Sequence, residues 1–395
     1  MKSKIIAISI FAITASVVGF YPMFQNDVNA RVQPEPIQPT RQVKKVQPRI
    51  QLAILLDTSS SMSGLINQTR EQLWQVVNEF SQSTKDGVIP RLEVAVYEYG
   101  NSRLSAQHGH IRKVSDLTTE LDEVSEALFS LTTDGGDEYC GYVIQTAINE
   151  LQWSDSEQDI KAIFIAGNEP FDQGPVHFGG AIEMAKNKGV TVNTIHAGNF
   201  KVGANTGWKD GAVLAGGNYM SIDHNHKVAH INAPQDEKIT QLNAKLNQTY
   251  VPYGAHGKEK IKRQIKQDDK NRAVSSGLMA KRAASKASAM YNNSSWDLVD
   301  GLAQGQVKLE EVEQQQLPEE MREMDLNKKK AYLKQKADER KKVKDEIGRL
   351  SKARGEYVKQ QKLNSPQPSV STIEQALTSA IRKQGEQKNY QFKTN

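Results

Sequence analysis

Asp57, Ser59 and Ser61 occupy alternate positions in Leu56-Asp57-Thr58-Ser59-Ser60-Ser61-Met62-Ser63-Gly64, immediately after the apolar run IQLAILL. One carboxylate and two hydroxyls therefore leave the end of a strand on a single turn, where strand geometry gives way to a loop above the sheet. Hard oxygens of this kind suit Mg²⁺ or Mn²⁺, which keep several waters and accept one or two carboxylates from the protein. An octahedral ion held by so few oxygens retains an open position, so the chemistry indicated is binding and not turnover. The competing reading is that residues 57–61 only cap the helix that follows, as Ser and Asp often do. Capping explains one hydroxyl, whereas a metal site uses all three side chains.

This stretch resembles the DxSxS signature of the metal-ion-dependent adhesion site in von Willebrand factor A domains, and the resemblance extends over roughly half the chain. Two further loops match those in which the family places its remaining ligands. Thr133-Asp134-Gly135-Gly136-Asp137-Glu138 corresponds to the second, where many members carry Thr at the position of Asp137. Asn168-Glu169-Pro170 corresponds to the third, where Asp is usual at the position of Asn168. The resemblance thus implies a metal set of Asp57, Ser59, Ser61, Asp137 and Asn168, with the ion completing its coordination on an acidic residue of a partner protein. The departures move a charge: Asn168 supplies a neutral oxygen, and Asp137 adds a carboxylate. A carboxylate bound directly leaves the ion less electrophilic toward a partner's carboxylate.

Other chemistry-bearing residues carry less. Asp223-His224-Asn225-His226 with His230 offers imidazole and carboxylate ligands for zinc, but alternation along a strand aligns only two of them. Cys140, the single cysteine, excludes an intramolecular disulfide framework and a thiolate-rich metal centre. It is expected to be buried at the start of a helix. A cysteine hydrolase would need a histidine partner, and neither His177 nor His196 lies at recognisable spacing. No nucleophile–base pair is legible, so the chain reads as a binding protein and not an enzyme.

These loops need a scaffold. From residue 50 short apolar runs alternate with amphipathic segments, the pattern of βα units stacked into a doubly wound, mostly parallel sheet of Rossmann-like α/β type. IQLAILL, KAIFIAG and VTVNTIHAG read as central strands and RLEVAVYEYG as an edge-side strand with one face less buried; NYMSID is a further strand. Helices are expected over 65–80, 117–131, 139–151, 176–188, 207–215 and 235–250. In such sheets ligands sit outside the carboxyl ends of the strands.

Residues 1–30 place Lys2 and Lys4 ahead of an apolar run and read as a secretory signal peptide, with membrane contact only if the segment stays uncleaved as an anchor over 5–24. The body is exported in either case, to a periplasmic or secreted location. Residues 31–49 are a Pro-rich spacer, and 50–250 form the α/β domain. Residues 251–363 form a basic helical region, with breaks at 251–257, 292–295 and Pro318. Residues 364–395 form a linker, a short amphipathic helix and a tail. The basic segment carries 14 Lys and Arg against 5 Asp and Glu over 327–363. Its apolar positions Leu333, Val343, Ile347, Leu350 and Tyr357 approach a heptad seam interrupted by Lys336, Arg340 and Arg354. It has almost no aromatic residues for base stacking, and the whole chain carries a mild formal charge of +5, so nucleic acid is not an expected partner. A solvated helical arm is the default, with a docking patch at Trp296, Leu298, Val299 and Leu302. Two roles remain open: an adhesion or scaffold protein that captures a protein ligand through its ion, and an accessory subunit of a membrane or periplasmic machine.

Overall fold

The computed structural model describes residues 47–223, 231–364 and 373–392. The signal segment and most of the spacer, the histidines 224, 226 and 230, and most of the linker after residue 364 lie outside the described residues.

Strand β1 (Arg49–Asp57) is followed by helix α1 (Ser63–Phe80), a short strand β2 (Ser83–Lys85), β3 (Arg91–Tyr99) and β4 (Ile111–Thr118). Then come α2 (Leu121–Ser130), α3 (Cys140–Glu150), β5 (Ile160–Gly167), α4 (Phe178–Asn187), β6 (Thr191–Ala197), α5 (Phe200–Asn205), α6 (Trp208–Leu214), β7 (Tyr219–Ile222) and α7 (Asp236–Asn247). The strands pair in the order β4-β3-β1-β5-β6-β7, parallel except for β4. The order in which strands are added reverses at β1, since β3 lies on one side of it and β5 on the other while all three run parallel.

β1 is apolar on both faces because both are covered. Ile50, Leu52, Ile54 and Leu56 pack under α1 with Leu65, Trp74 and Phe80, while Ala53 and Leu55 pack under α3 and α4 with Val143, Ile144 and Ile182. Helix α4 stops where expected, with Gly189 at φ +67° taking the left-handed position that a side chain disfavours.

One expectation fails at β3 and one at β4. β3 stands one strand in from the edge, paired with β1 and β4, but neither of its faces is less buried: Leu92 through Tyr99 are all buried. The edge role falls to β4, a half-buried antiparallel strand that takes in Leu117 and Thr118, where the sequence predicts the start of a helix; that helix begins at Leu121. Apolar residues in IRKVSDLT recur at every third position, Ile111, Val114 and Leu117, so the segment lacks the period-two alternation that marks a half-buried strand.

The C-terminal region comprises α8 (Gly257–Val274), α9 (Ser276–Ala287), α10 (Leu298–Ala303), α11 (Glu319–Arg322), α12 (Leu326–Asn364), α13 (Ile373–Gln387) and β8 (Tyr390–Phe392). It is not a solvated arm. Leu278, Met279, Ala283, Trp296, Ile347, Leu377 and Ile381 belong to the same buried cluster as Ile50 and Leu52. The polar interruptions in the α12 seam explain how. Arg340 reaches Asp297 and Asp300, each at 2.6 Å, and Arg354 reaches Asp236 at 2.6 Å, so these positions are ion-paired anchors inside the interface. Trp296 rests on Tyr250, with ring centroids 5.6 Å apart, whereas Leu298 and Val299 join Leu333 and Met321 in a smaller cluster. The chain beyond residue 250 also contains a strand that its composition did not suggest: β8 pairs antiparallel with β2. Among the described residues, no helix is long and apolar enough to cross a membrane.

Candidate functional site

The carboxyl ends of β1 and β5 meet where the strand order reverses, the crevice in which α/β sheets place ligands. Leu56 is in register with Ala166, so Asp57 is level with Gly167 and Asn168 stands one residue further on the neighbouring strand.

Asp57 is fully buried, and its Oδ1 accepts the Ser59 backbone N–H at 2.7 Å. The hydroxyls of Ser59 and Ser61 face each other, Oγ to Oγ, at 3.4 Å. Neither caps a helix: the turn at 60–62 and α1 both start without a side-chain hydrogen bond from their capping residues. Helix capping therefore does not account for this loop.

The second loop folds over the first. Asp134 N donates to Thr58 O at 3.1 Å, Asn101 Nδ2 donates to Thr132 O at 2.9 Å, and Arg103 Nε donates to Asp134 Oδ2 at 2.6 Å. Gly136 is needed here because a Cβ would lie 2.7 Å from Gly100 O and 2.8 Å from Ser102 N. The approach of the two backbones is closer than any side chain permits.

At the end of that loop the structure separates two neighbours. Asp137 is exposed and accepts from the Tyr139 hydroxyl at 3.0 Å. Glu138 is buried, with 4% of its surface exposed, and its carboxyl lies against that of Asp57. Burial pushes the Asp57 carboxyl up. Burial first, and Asp57 next, push Glu138 up to about 9. Spacing contained a signal for Glu138. In an extended segment residues two apart share a side, and Cys140, expected to be buried, carries Glu138 inward and leaves Asp137 outward.

Two oxygens in the crevice lack a donor. Asp57 Oδ2 and Asn168 Oδ1 are both buried and accept no hydrogen bond among the described residues. Buried polar atoms are rarely left so, and both of these are acceptors with lone pairs to give. With the facing Ser59 and Ser61 hydroxyls they form an all-oxygen set, which fits a hard divalent cation. Among the described residues no group of three His, Cys, Asp or Glu side chains is placed to hold a metal, so such an ion would depend on hydroxyl and amide oxygens as well as carboxylates.

The other candidates fall into ordinary roles. His177 Nδ1 caps α4 by accepting from Gly179 N at 3.1 Å, and His196 packs at a tilt against Trp208 with ring centroids 5.8 Å apart. Cys140 is buried and donates to the Tyr99 hydroxyl at 3.8 Å, its thiol pushed well up by burial.

The family model of the von Willebrand factor type A domain matches residues 51–205. No curated protein matches the chain. Among solved structures, proximal thread matrix protein 1 of the mussel byssus, with a zinc-occupied MIDAS motif, is 14% identical with a TM-score of 0.34, over 44% of this chain and 42% of its own. An aerotolerance-related membrane protein of Bacteroides fragilis is 14% identical, TM-score 0.31, over 44% and 92%. The pilus adhesin SpaC of Lactobacillus rhamnosus GG, in its open conformation, is 14% identical, TM-score 0.33, over 45% and 28%. The chain therefore spans less than half of the mussel protein and under a third of the adhesin. Sheet order, loop position and the family match agree: the chain carries a von Willebrand factor type A domain at residues 51–205, continued by a helix-rich C-terminal region.

Proposed function

We propose that this is an exported adhesion or scaffold protein whose A domain binds Mg²⁺ or Mn²⁺ and uses the ion to hold a protein ligand through one of that ligand's acidic residues. The observation that carries the proposal is the pair of buried acceptors without donors, Asp57 Oδ2 and Asn168 Oδ1, on adjacent strand ends. A cation relieves both, and Ser59 and Ser61 supply further neutral oxygens. The ion would contribute an electrophilic position on the protein surface, while the chain's own residues fix it at the switch point of the sheet.

The test is thermal melting of residues 31–395 with Mg²⁺, Mn²⁺ or chelator, beside the Asp57→Ala/Ser59→Ala variant. A cation at a hundredfold excess over its dissociation constant adds about 2.7 kcal/mol to the native state. Stabilisation of the wild type and not of the variant supports the site. Equal melting in chelator and in either metal removes it and leaves a metal-free interaction scaffold.

A further inference from the structure

We propose that Glu138 is itself a direct ligand of the cation and occupies the coordination position that an acidic residue of a partner would take. The inference rests on the cation reading above and adds to it a residue and a rule for ligand entry.

Two carboxylates buried side by side are costly unless something positive lies between them. Asp57 is fully buried and Glu138 is 4% exposed. Among the described residues neither has an ion-pair partner, and the neighbouring charge that acts on both is another acid, Glu169. The backbone is shaped to keep the pair. Gly100 sits at φ +76°, and a Cβ there would fall 2.8 Å from Glu138 Cγ and 3.0 Å from Asp57 Oδ1. The space beside the two carboxyls is thus set by a residue without a side chain. Asp57 Oδ2 still has no donor. A divalent cation satisfies that oxygen, takes the place of the proton that the hydrogen-bonded Asp57 and Glu138 carboxyls hold between them, and balances the charge of both.

The consequence concerns what the site accepts. With Asp57 and Glu138 both bound, a divalent ion is neutralised inside the protein. A third carboxylate from a partner would make the cluster anionic, so a partner's acid must replace Glu138 and not join it. Asp137, exposed on the Tyr139 hydroxyl, has no part in this set.

Mn²⁺ binding followed by calorimetry and by water-proton relaxation tests this on residues 31–395. Glu138→Gln should weaken Mn²⁺ binding by about tenfold or more, because ligand charge sets affinity at such sites, while Asp137→Asn stays within about twofold of wild type. In the Mn²⁺-loaded Glu138→Ala protein, relaxation should rise as water enters the vacated position, and acetate should bind more tightly than to wild type. Melting in chelator reports whether each variant is folded. If Glu138→Gln is folded and binds Mn²⁺ as tightly as wild type, or if Asp137→Asn takes the loss instead, the assignment is overturned while the metal site stands. A wild type that binds no Mn²⁺ at millimolar concentration overturns both readings, and the two carboxyls then share a proton.

Discussion

The guanidinium of Arg282 lies between two acids from different parts of the chain, with Nε 2.6 Å from Asp268 Oδ1 and Nη1 2.8 Å from Asp122 Oδ1. Asp122 belongs to α2 of the A domain, Asp268 to α8 and Arg282 to α9. Lys286 adds a second cation, 2.9 Å from Asp268 Oδ2, and the amides of Asn243 and Asn247 donate to the same oxygen at 2.7 Å. The network is buried, and its charges hold the Asp268 carboxyl well below the usual range against the opposing effect of burial.

Asp268→Asn should therefore be among the most damaging single changes in the protein. It leaves Arg282 and Lys286 buried with one acid in place of two, and breaking a buried pair from one side costs about 3–5 kcal/mol. Urea unfolding measures it. A loss under about 1 kcal/mol would mean that water reaches the network and screens it.

The same network sets a pH dependence. Burial lowers Lys286 to about 8 despite the attraction of Asp268. The folded chain releases this proton near 8, and the unfolded chain keeps it to about 10.5. Between those values the unfolded state binds more protons, so the Lys286 contribution to stability rises with pH, by at most about 3 kcal/mol. Urea unfolding of wild type and Lys286→Met at about pH 7 and pH 10 isolates the effect. Wild type should gain on the variant as pH rises, and a constant difference across the window would contradict the assignment.

A fragment ending at Tyr250 should not fold as an independent domain, although its sequence closes a complete set of βα units. Removing α9, α12 and α13 uncovers the face of α1 and α7 on which Leu278, Met279, Ile347, Leu377 and Ile381 are packed. Exposed apolar patches of that kind lead to association. Residues 47–250 are expected to lose cooperative melting and to aggregate, as size-exclusion chromatography and calorimetry would reveal. A monomer with a sharp transition would show that the helices are an accessory to a self-sufficient core.

That dependence rests on side chains whose partners are distant in the chain, whereas the fold of the A domain rests on local patterns. The central strands were legible because IQLAILL and KAIFIAG are buried on both faces and need no alternation. The loop of Asp57, Ser59 and Ser61 was legible because alternate oxygens after such a strand are uncommon. Arg340 and Arg354 were not, since a cation in an apolar seam marks solvent as often as it marks a partner. Asp297, Asp300 and Asp236, the acids that decide between those two, lie 40 or more residues away in the chain. Tyr390 and Phe392 form a strand only because Ser83 and Lys85 offer an edge, a non-local cause that three residues cannot announce.

Two glycines separate the packing of the second loop from ordinary backbone flexibility. At Gly180, inside α4, a Cβ would meet nothing within 4 Å. Gly180→Ala should raise stability by about 0.5–1 kcal/mol, the usual gain from replacing glycine in a helix. At Gly136 the added methyl would meet backbone at 2.7 and 2.8 Å on residues 100 and 102, atoms that cannot rotate away. Gly136→Ala must push the second loop off residues 100–102, at about 1–3 kcal/mol, and it should carry Glu138 away from Asp57 as it does so. Melting in chelator and Mn²⁺ titration should both register the change at Gly136, and only melting should register the one at Gly180. If Gly136→Ala melts like wild type and binds Mn²⁺ equally well, the loop is free to move, and the contact between Gly136 and Gly100 does not position the site.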